Sequence, residues 1–361
     1  MSKTESLNTA NEVISDGYLV PSKYILGPAI KIVLLLSVAY ASTFQLSYHS
    51  ISLVHTCRYS TKILIFQCLH EGLAVVNLLL FVLVVLFAFN MDHFRKFIST
   101  FQLLLLETDT LAVREIKRSR QIMRALVYGI VILFVVMFIR RETGSTNHTD
   151  STFVFIVRCF HEVLVRFGSL FHLNMICNIC FCLKAAFKQI NLQINDLNTT
   201  THRSVDHLFY KIRESRQKYS YAVRSTQSAE KLFRYYITIF YTEYFSYFTM
   251  NIVTLFGPKA GLDSIWFLYM FLDTFLFILL THNLVEVNNL SREGLEDLYE
   301  LSFKLNTGDS RHENDIFIAR MALSDVGFTF ANLFTINNSF ITSLFTLSLT
   351  LIITLASFIY Q

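Results

Sequence analysis

The chain has 361 residues, of which 53% are hydrophobic, 15% aromatic and only 16% charged, with a net charge of +4 and a mean hydropathy of +0.45. Soluble domains carry about 25% charged residues, so this composition excludes most soluble enzymes and predicts a membrane protein. With 35 Phe, 11 Gly and 3 Pro, the sequence favours an all-α bundle over an outer-membrane barrel.

Seven apolar stretches have the length of membrane-spanning helices, because a hydrocarbon core of about 30 Å takes about 20 residues to cross. The third stretch is short, and we expect its helix to extend to Arg124 and Arg140. The predicted fold is therefore all-α, a polytopic membrane protein with seven transmembrane helices. The spans are predicted at residues 25–47, 64–90, 125–139, 163–183, 233–256, 264–285 and 340–360.

The orientation follows from Lys and Arg, which concentrate in cytoplasmic loops. With the N-terminus inside, the inner segments hold 22 of these residues and the outer loops hold six. The sequence therefore predicts a cytoplasmic N-terminus and an extracellular C-terminus. Residues 1–24 are polar, so we expect no cleaved signal peptide and expect the first span to direct insertion. Helical charge patterns in the inner segments predict that membrane helices continue into the cytoplasm.

A sequon and several cysteines mark the two sides of the predicted bundle. Asn147 lies in an outer loop, where glycosylation could reach it. Cys57 and Cys159 also lie towards the outer side and could pair or remain free thiols. The remaining cluster, 177–182, holds three cysteines in the inner part of an apolar helix with no second ligand cluster, which favours buried thiols over a metal site.

Polar side chains recur along one face of the last span. They are spaced by three or four residues and fall within an arc of about 80° at about 100° per residue. One interpretation is close packing, with small hydroxylated residues bonding their own backbone. A stripe that continues through the whole bilayer favours the other interpretation, a water-lined pore. The stripe consists of Ser339, Ser343, Thr346, Thr350, Thr354, Ser357 and Gln361.

A pore lined by this stripe would require an oligomer, because one helix cannot enclose a path. Several copies of the last helix around an axis, in a cyclic homo- or hetero-oligomer, would be the simplest arrangement. Ser and Thr carry no charge, so such a pore would pass hydrated ions with modest selectivity.

The C-terminal residues resemble those of the insect gustatory receptors. That family has a C-terminal Thr-Tyr followed by five apolar residues and Gln-Phe. In one register Thr354 and Gln361 match the Thr and the Gln, with a Leu in place of the Tyr. In a second register Thr350 matches the Thr, and Ser357 and Phe358 occupy the positions of the Gln and the Phe. The two registers assign the role of the family's pore glutamine to different residues.

Two further features carry the resemblance. Residues 334–337 resemble the family's Phe-x-Ile/Leu-Asp segment, and Glu286 resembles a glutamate common at the end of its sixth helix. The resemblance implies a tetrameric, ligand-gated, non-selective cation channel of the cell membrane. It further implies that a small-molecule tastant binds among helices two to six and that the last helix lines the pore. Membrane lipid and other receptor subunits are the implied partners, and no cofactor or nucleic acid is expected.

These expectations divide the chain into four parts. Residues 1–24 are the cytoplasmic N-terminus, and 25–285 are the first six helices, with the ligand-binding bundle and the cytoplasmic loops. Residues 286–339 are a cytoplasmic linker into the last helix, and 340–361 are the pore-lining helix.

Ionisable and aromatic side chains in the outer halves of the spans are candidates for ligand contacts. Charges inside a membrane are costly and mark functional sites, and aromatic rings beside a few polar groups suit a small-molecule pocket. Internal ion pairing, such as Arg166 with Glu162, or anchoring of rings at the interface would explain the same residues without a ligand. The candidates are Glu71, His161, Glu162, Glu243, Tyr247, Trp266, Tyr269 and Asp273.

Other membrane proteins fit less well. A G-protein-coupled receptor requires an external N-terminus and normally has Asp/Glu-Arg-Tyr and Asn-Pro-x-x-Tyr motifs, which this sequence lacks. A secondary transporter would show internal repeats or a pair of Gly/Pro-broken helices. An odorant receptor of the same superfamily shares the architecture and differs in the C-terminal motif. No residue pattern is typical of a catalytic triad, a phosphate-binding loop or a metal site, so we expect no enzyme activity.

Epitope tags test the predicted orientation. With the N-terminus in the cytoplasm, antibodies on intact cells should stain a C-terminal tag and should reach an N-terminal tag only after permeabilisation. Staining of the N-terminal tag on intact cells would reject the orientation, and the resemblance with it.

Overall fold

The computed structural model describes residues 61–88, 90–104, 110–144, 152–199, 205–255, 264–323 and 325–360. These residues form nine helices and one short β-hairpin. The helices are α1 Thr61–Phe87, α2 Met91–Gln102, α3 Thr110–Gly144, α4 Thr152–Thr199, α5 Val205–Leu255, α6 Ser264–Glu293, α7 Leu295–Lys304, α8 Gly308–Leu323 and α9 Asn338–Tyr360. The antiparallel hairpin consists of β1 Thr329–Phe330 and β2 Phe334–Thr335.

The all-α membrane fold predicted from composition and hydropathy is confirmed. Six of the predicted spans lie on α1, α3, α4, α5, α6 and α9, whereas the first, 25–47, lies outside the described residues together with 1–24. The count of seven spans and their orientation stay predictions. Within the described ranges, four stretches are long and apolar enough to cross a membrane, namely Ala112–Arg140, Gly168–Thr199, Phe267–Lys304 and Asn338–Ile359.

The two longest helices extend far beyond one bilayer. α4 has 48 residues and α5 has 51. At a rise of about 1.5 Å per residue they are about 72 and 76 Å long, which is more than twice the hydrocarbon thickness. The predicted continuation of membrane helices past the bilayer is therefore confirmed for this pair.

α5 is the scaffold against which most other elements pack. It contacts α1, α2, α4, α6, α8, α9 and β1. Small side chains along it, Ala222, Ser225, Thr226 and Ala229, are fully buried and let neighbouring helices approach closely. The Thr226 hydroxyl donates to the Ala222 carbonyl at 2.9 Å, so this buried polar group is satisfied within its own helix.

Most of the segment 286–339, predicted as a linker, is folded. α6 continues past the predicted end of its span, and α7 and α8 follow it. At the bend between α6 and α7, a Cβ on Gly294 would lie 2.9 Å from both Asn191 Oδ1 and Ile194 Cδ1 of α4. Glycine therefore allows the bend to press against α4.

The hairpin between α8 and α9 turns tightly. Ala331 and Asn332 have φ angles of 53° and 59°, the left-handed pair that a type I′ turn requires. The Leu333 N–H donates to the Phe330 carbonyl at 2.9 Å and closes the turn. A positive φ costs a residue such as Ala about 1 kcal/mol, so contacts around the turn must hold it.

Those contacts come from α5. The Thr329 hydroxyl donates to the Glu230 carboxylate, which is also the ion-pair partner of Arg234 at 2.7 Å. The Ala331 N–H donates to the Thr238 hydroxyl at 3.0 Å. The hairpin is therefore fixed at two points two helical turns apart along α5.

The residues after the hairpin set the start of α9. Ile336 is fully buried, and Asn337 caps the helix because its Oδ1 accepts the Phe340 N–H at 2.9 Å. Asn and Asp serve equally well as caps, so the segment 334–337 performs a structural role that either residue can fill.

Candidate functional site

Among the residues that the structure describes, α9 packs against its own chain along one face. On that face Ile352 is 7% exposed and Ile359 is 6% exposed. In the apolar 18-residue window that marks each span, only 6% of the α9 residues are buried within the chain, against 83% of the α4 residues. The polar stripe lies on the open face. Its described members, all exposed, are Ser339, Ser343, Thr346, Thr350, Thr354 and Ser357; Gln361 lies outside the described residues.

The C-terminal half of α9 is attached to α1 and α5. Ile352 and Ile359 join Phe66 of α1 and two apolar residues of α5 in one cluster. Lys62 Nζ at the start of α1 also donates to the Phe358 carbonyl at 3.3 Å. The end of α9 is thereby held against the bundle while its stripe points away from it.

The start of α9 is attached to the bundle through Tyr241 of α5. This buried ring lies 5.1 Å from the Phe277 ring of α6. It also lies 6.3 Å from Phe330 of the hairpin and 5.9 Å from Phe340 at the start of α9. Its hydroxyl is 2.7 Å from the Thr281 hydroxyl of α6. One side chain therefore joins α5, α6, the hairpin and α9.

The threonines of the stripe bond their own backbone. The Thr346, Thr350 and Thr354 hydroxyls donate to the carbonyl four residues earlier at 2.9, 2.9 and 2.8 Å. Because each hydroxyl proton is used inside the helix, the lone pairs of the oxygen remain for an outside donor or cation. The open face therefore presents a row of acceptors.

Apolar side chains flank the stripe on both sides and are as exposed as its hydroxyls. Leu347 is 53% exposed, Leu349 60%, Ile353 59% and Phe358 65%. A narrow polar line between two apolar borders suits a helix whose borders meet neighbouring helices or lipid while the line meets water.

Two of the eight predicted ligand candidates have described ring contacts. Tyr247 of α5 lies 6.4 Å from the His70 ring of α1, and Tyr269 of α6 stacks on Phe134 of α3 at 5.9 Å. The structure thus places one tyrosine between α1 and α5 and the other between α3 and α6. Both positions lie among the helices in which a pocket was predicted.

The two acidic candidates on α5 and α6 are half-buried and have partners within the chain. Glu243 lies near Tyr236, and Asp273 lies near Tyr244. This arrangement agrees with a ligand site and with internal pairing alike. The side chains of Glu71, His161, Glu162 and Trp266, and residue Asn147, lie outside the described residues.

A buried stack between α4 and α5 was not among the predicted site residues. The His172 and Tyr236 rings are stacked at 5.2 Å. His172 Nδ1 lies 3.0 Å from the Gly168 carbonyl, and the Tyr236 hydroxyl donates to the Ser169 carbonyl at 2.9 Å. A histidine in an apolar span was the available signal, but hydropathy does not reveal which ring it meets.

The prediction of buried inner cysteines is confirmed. Cys177, Cys180 and Cys182 are all fully buried, and Arg120 Nη2 donates to Cys182 Sγ at 3.1 Å. Within the described ranges no group of three His, Cys, Asp or Glu could hold a metal ion. The side chains of Cys57 and Cys159 lie outside those ranges.

Glu286, which carries part of the resemblance, is an ion-pair partner in the structure. Lys184 Nζ of α4 donates to Glu286 Oε2 at 2.7 Å and to Asn283 Oδ1 at 2.9 Å. Burial of the lysine, whose side chain is 15% exposed, strengthens this pair relative to a surface ion pair. Glu286 therefore fastens α6 to α4.

These features define a polytopic helical membrane protein whose last helix is sparsely packed, and solved structures share that fold. The chain matches the insect olfactory receptor OR5 from Machilis hrabei in complex with eugenol over 98% of both chains, with a TM-score of 0.59 and 15% identity. A second structure of that receptor matches over 98% of this chain and 97% of its own, with a TM-score of 0.60 and 14% identity. The chain therefore has the insect olfactory receptor fold. No protein-family model and no curated protein sequence matches it.

Substituting Tyr241 by Phe tests how the start of α9 is attached to the bundle. The three ring contacts remain, but the buried Thr281 hydroxyl loses its partner, which we expect to lower the free energy of unfolding by about 1–3 kcal/mol. Thermal denaturation of the purified protein measures the change. Tyr210→Phe is the control, because Tyr210 is 67% exposed and its hydroxyl faces solvent. Equal melting temperatures for both variants would contradict the attachment.

Proposed function

We propose that this chain is a subunit of a ligand-gated cation channel and acts as a gustatory receptor in the cell membrane. The observation that carries the proposal is the open face of α9, where six polar side chains form one exposed line. The insect olfactory receptor fold supports it, since it is the fold of known chemoreceptors.

The pore requires more than one copy of α9. A helix with 6% of its apolar 18-residue window buried in its own chain and a polar line on its open face would be poorly solvated by lipid alone. Placing several copies around an axis gives the polar line a water-filled lumen and gives the apolar borders a neighbour. The resemblance to gustatory receptors supports four copies, either identical or shared with other receptor subunits.

The bonding of the stripe favours cations over anions. Hydroxyl oxygens that have already donated their proton to the helix backbone offer only lone pairs to the lumen. Rings of such oxygens favour cations and are too weakly charged to select strongly among them. This proposal deepens the prediction of modest selectivity by giving the sign of the preferred charge.

Ligand binding reaches the pore through the α5–α6 pair. The candidate residues Tyr247 and Asp273 belong to the same two helices that Tyr241 joins to the start of α9. A ligand that binds one arrangement of α5 and α6 more tightly than another would shift the position of α9 by that difference in affinity. The buried Tyr241 ring contacts both Phe277 of α6 and Phe340 of α9 and so connects the helix pair to α9.

An odorant receptor of the same superfamily is the second candidate, because the solved structures that match this chain are olfactory receptors. The C-terminal resemblance favours the gustatory assignment, but the fold serves both. No described feature favours a G-protein-coupled receptor.

Cysteine substitution tests the pore. Thr354→Cys or Ser357→Cys should reach the cell surface, and a charged thiol reagent added outside should then block most of the current, because these positions lie within about two turns of the helix end. Ile352→Cys and Ile359→Cys are the matched controls, since both positions are buried against α1 and α5. Block at the control positions equal to block at the stripe, or block at none, would reject the pore.

Recording currents against sugars, bitter compounds and volatile odorants tests the ligand class and the pocket together. We expect tastants to open the channel, with Tyr247→Ala or Tyr269→Ala raising the activating concentration by up to about tenfold through the lost ring contact. The maximal current should stay unchanged. Tyr210→Ala serves as the control for a lost exposed ring. Activation by volatile odorants alone would replace the gustatory assignment with the odorant one.

A further inference from the structure

A basic cleft lies between α2 and α5, next to the membrane. It has a volume of about 390 Å³, within the usual range for small-molecule sites. Lys96 of α2 and Arg224 and Lys231 of α5 line it, with His93 and Tyr221 between them. We refer to it as the basic cleft.

The helical spacing aligns these side chains. On α5, positions 221, 224, 228 and 231 follow the three- and four-residue rhythm of one helix face, and on α2 positions 93, 96 and 100 do the same. α2 is fixed in this orientation because Phe94, Phe97 and Phe101 are buried in the core. The basic residues of the two helices therefore face one another across a gap. The buried phenylalanines of α2 fix the orientation in which they do so.

Within the part of the chain that the structure describes, no carboxylate balances the charge of the basic cleft. No described Asp or Glu lines it, and Lys96, Arg224 and Lys231 form no ion pair with described residues. A second basic cavity nearby differs in this respect, because its Arg216 Nε is held by Glu313 Oε1 at 2.5 Å. Like charges that share a gap repel, so the arrangement favours an anionic occupant.

The position of the basic cleft points to a lipid. Three residues separate α2 from the end of α1, and Lys231 lies two residues before the start of the predicted fifth span. The charge distribution of the sequence places this level on the cytoplasmic side, where the leaflet is rich in anionic headgroups. Leu103, at the rim of the basic cleft, is 53% exposed and would meet acyl chain rather than water.

We propose that the basic cleft binds the phosphorylated inositol headgroup of an anionic lipid in the inner leaflet. Lys96, Arg224 and Lys231 supply charged donors for phosphate oxygens. The Tyr221 hydroxyl accepts from Gln217 at 2.9 Å, so its own proton is free to donate to a ring hydroxyl. The proposal rests on the predicted orientation and does not depend on channel activity.

Binding to the full-length protein in neutral detergent tests the proposal. The probe is dioctanoyl phosphatidylinositol 4,5-bisphosphate, compared with dioctanoyl phosphatidylcholine and with free inositol trisphosphate. We expect the first lipid to bind tightest. The triple variant Lys96→Gln, Arg224→Gln, Lys231→Gln should bind it about 100-fold more weakly, because each basic residue near a membrane surface contributes about fivefold.

Two further variants keep the result interpretable. Arg114→Gln, Lys117→Gln, Arg118→Gln removes three exposed charges of α3 outside the basic cleft and should bind the lipid as wild type does. A charge-preserving variant, Lys96→Arg, Arg224→Lys, Lys231→Arg, should also retain binding. Melting temperatures without lipid show that each variant is folded.

Several outcomes overturn the proposal. Equal weakening in the two neutralised variants would mean general attraction to a basic surface, and no preference over phosphatidylcholine would mean that the basic cleft is not a headgroup site. Inositol trisphosphate binding as tightly as the lipid would assign the basic cleft to a soluble phosphate instead. All three outcomes are binding measurements, so they can be interpreted whether or not the protein conducts ions.

Discussion

A helix in a membrane must keep its polar side chains away from hydrocarbon, and the rest of this structure follows from how α9 meets that constraint. The face of α9 that packs against the bundle makes apolar contacts with α1 and α5. The stripe lies on the opposite face, where the described residues of the chain do not bury it. The other helices provide a rigid support from which one helix projects a polar line. The scaffold helix α5 carries both attachments of α9, which makes its position the reference for the whole stripe.

The support is unevenly built. Around α4 and the inner parts of α5 and α6, packing is dense, and ion pairs such as Lys184 with Glu286 and Arg216 with Glu313 link separate helices. α3 is packed more sparsely, because only 22% of the residues in its apolar 18-residue window are buried. Local opening requires fewer broken contacts where burial is low, so we expect it at the sparsely packed end before the densely packed one. The densely packed end holds the elements in register while that happens.

Hydropathy and helical period were sufficient to predict the helices and the stripe, because both signals repeat over 20 or more residues in one element. The segment 286–339 carried no such signal. Its strands have two residues each, and its turn places Ala331 and Asn332 at positive φ without a glycine. The role of Tyr241 was equally hidden, since it arises from rings on three other elements. The pattern 334–337 was recognised by resemblance, and its physical meaning as a buried Ile and a helix cap came from the structure.

The backbone-bonded threonines of α9 also bear on how the protein is made. In the translocon, each newly made span partitions into lipid according to its own side chains, before any partner subunit is present. Thr346, Thr350 and Thr354 arrive with their protons already satisfied by the preceding turn, so their transfer into hydrocarbon costs less than that of free hydroxyls. A single copy can therefore enter the bilayer alone and diffuse there. For the proposed oligomer, insertion and assembly are then separate steps, and the same oxygens that meet lipid in the first would meet water in the second.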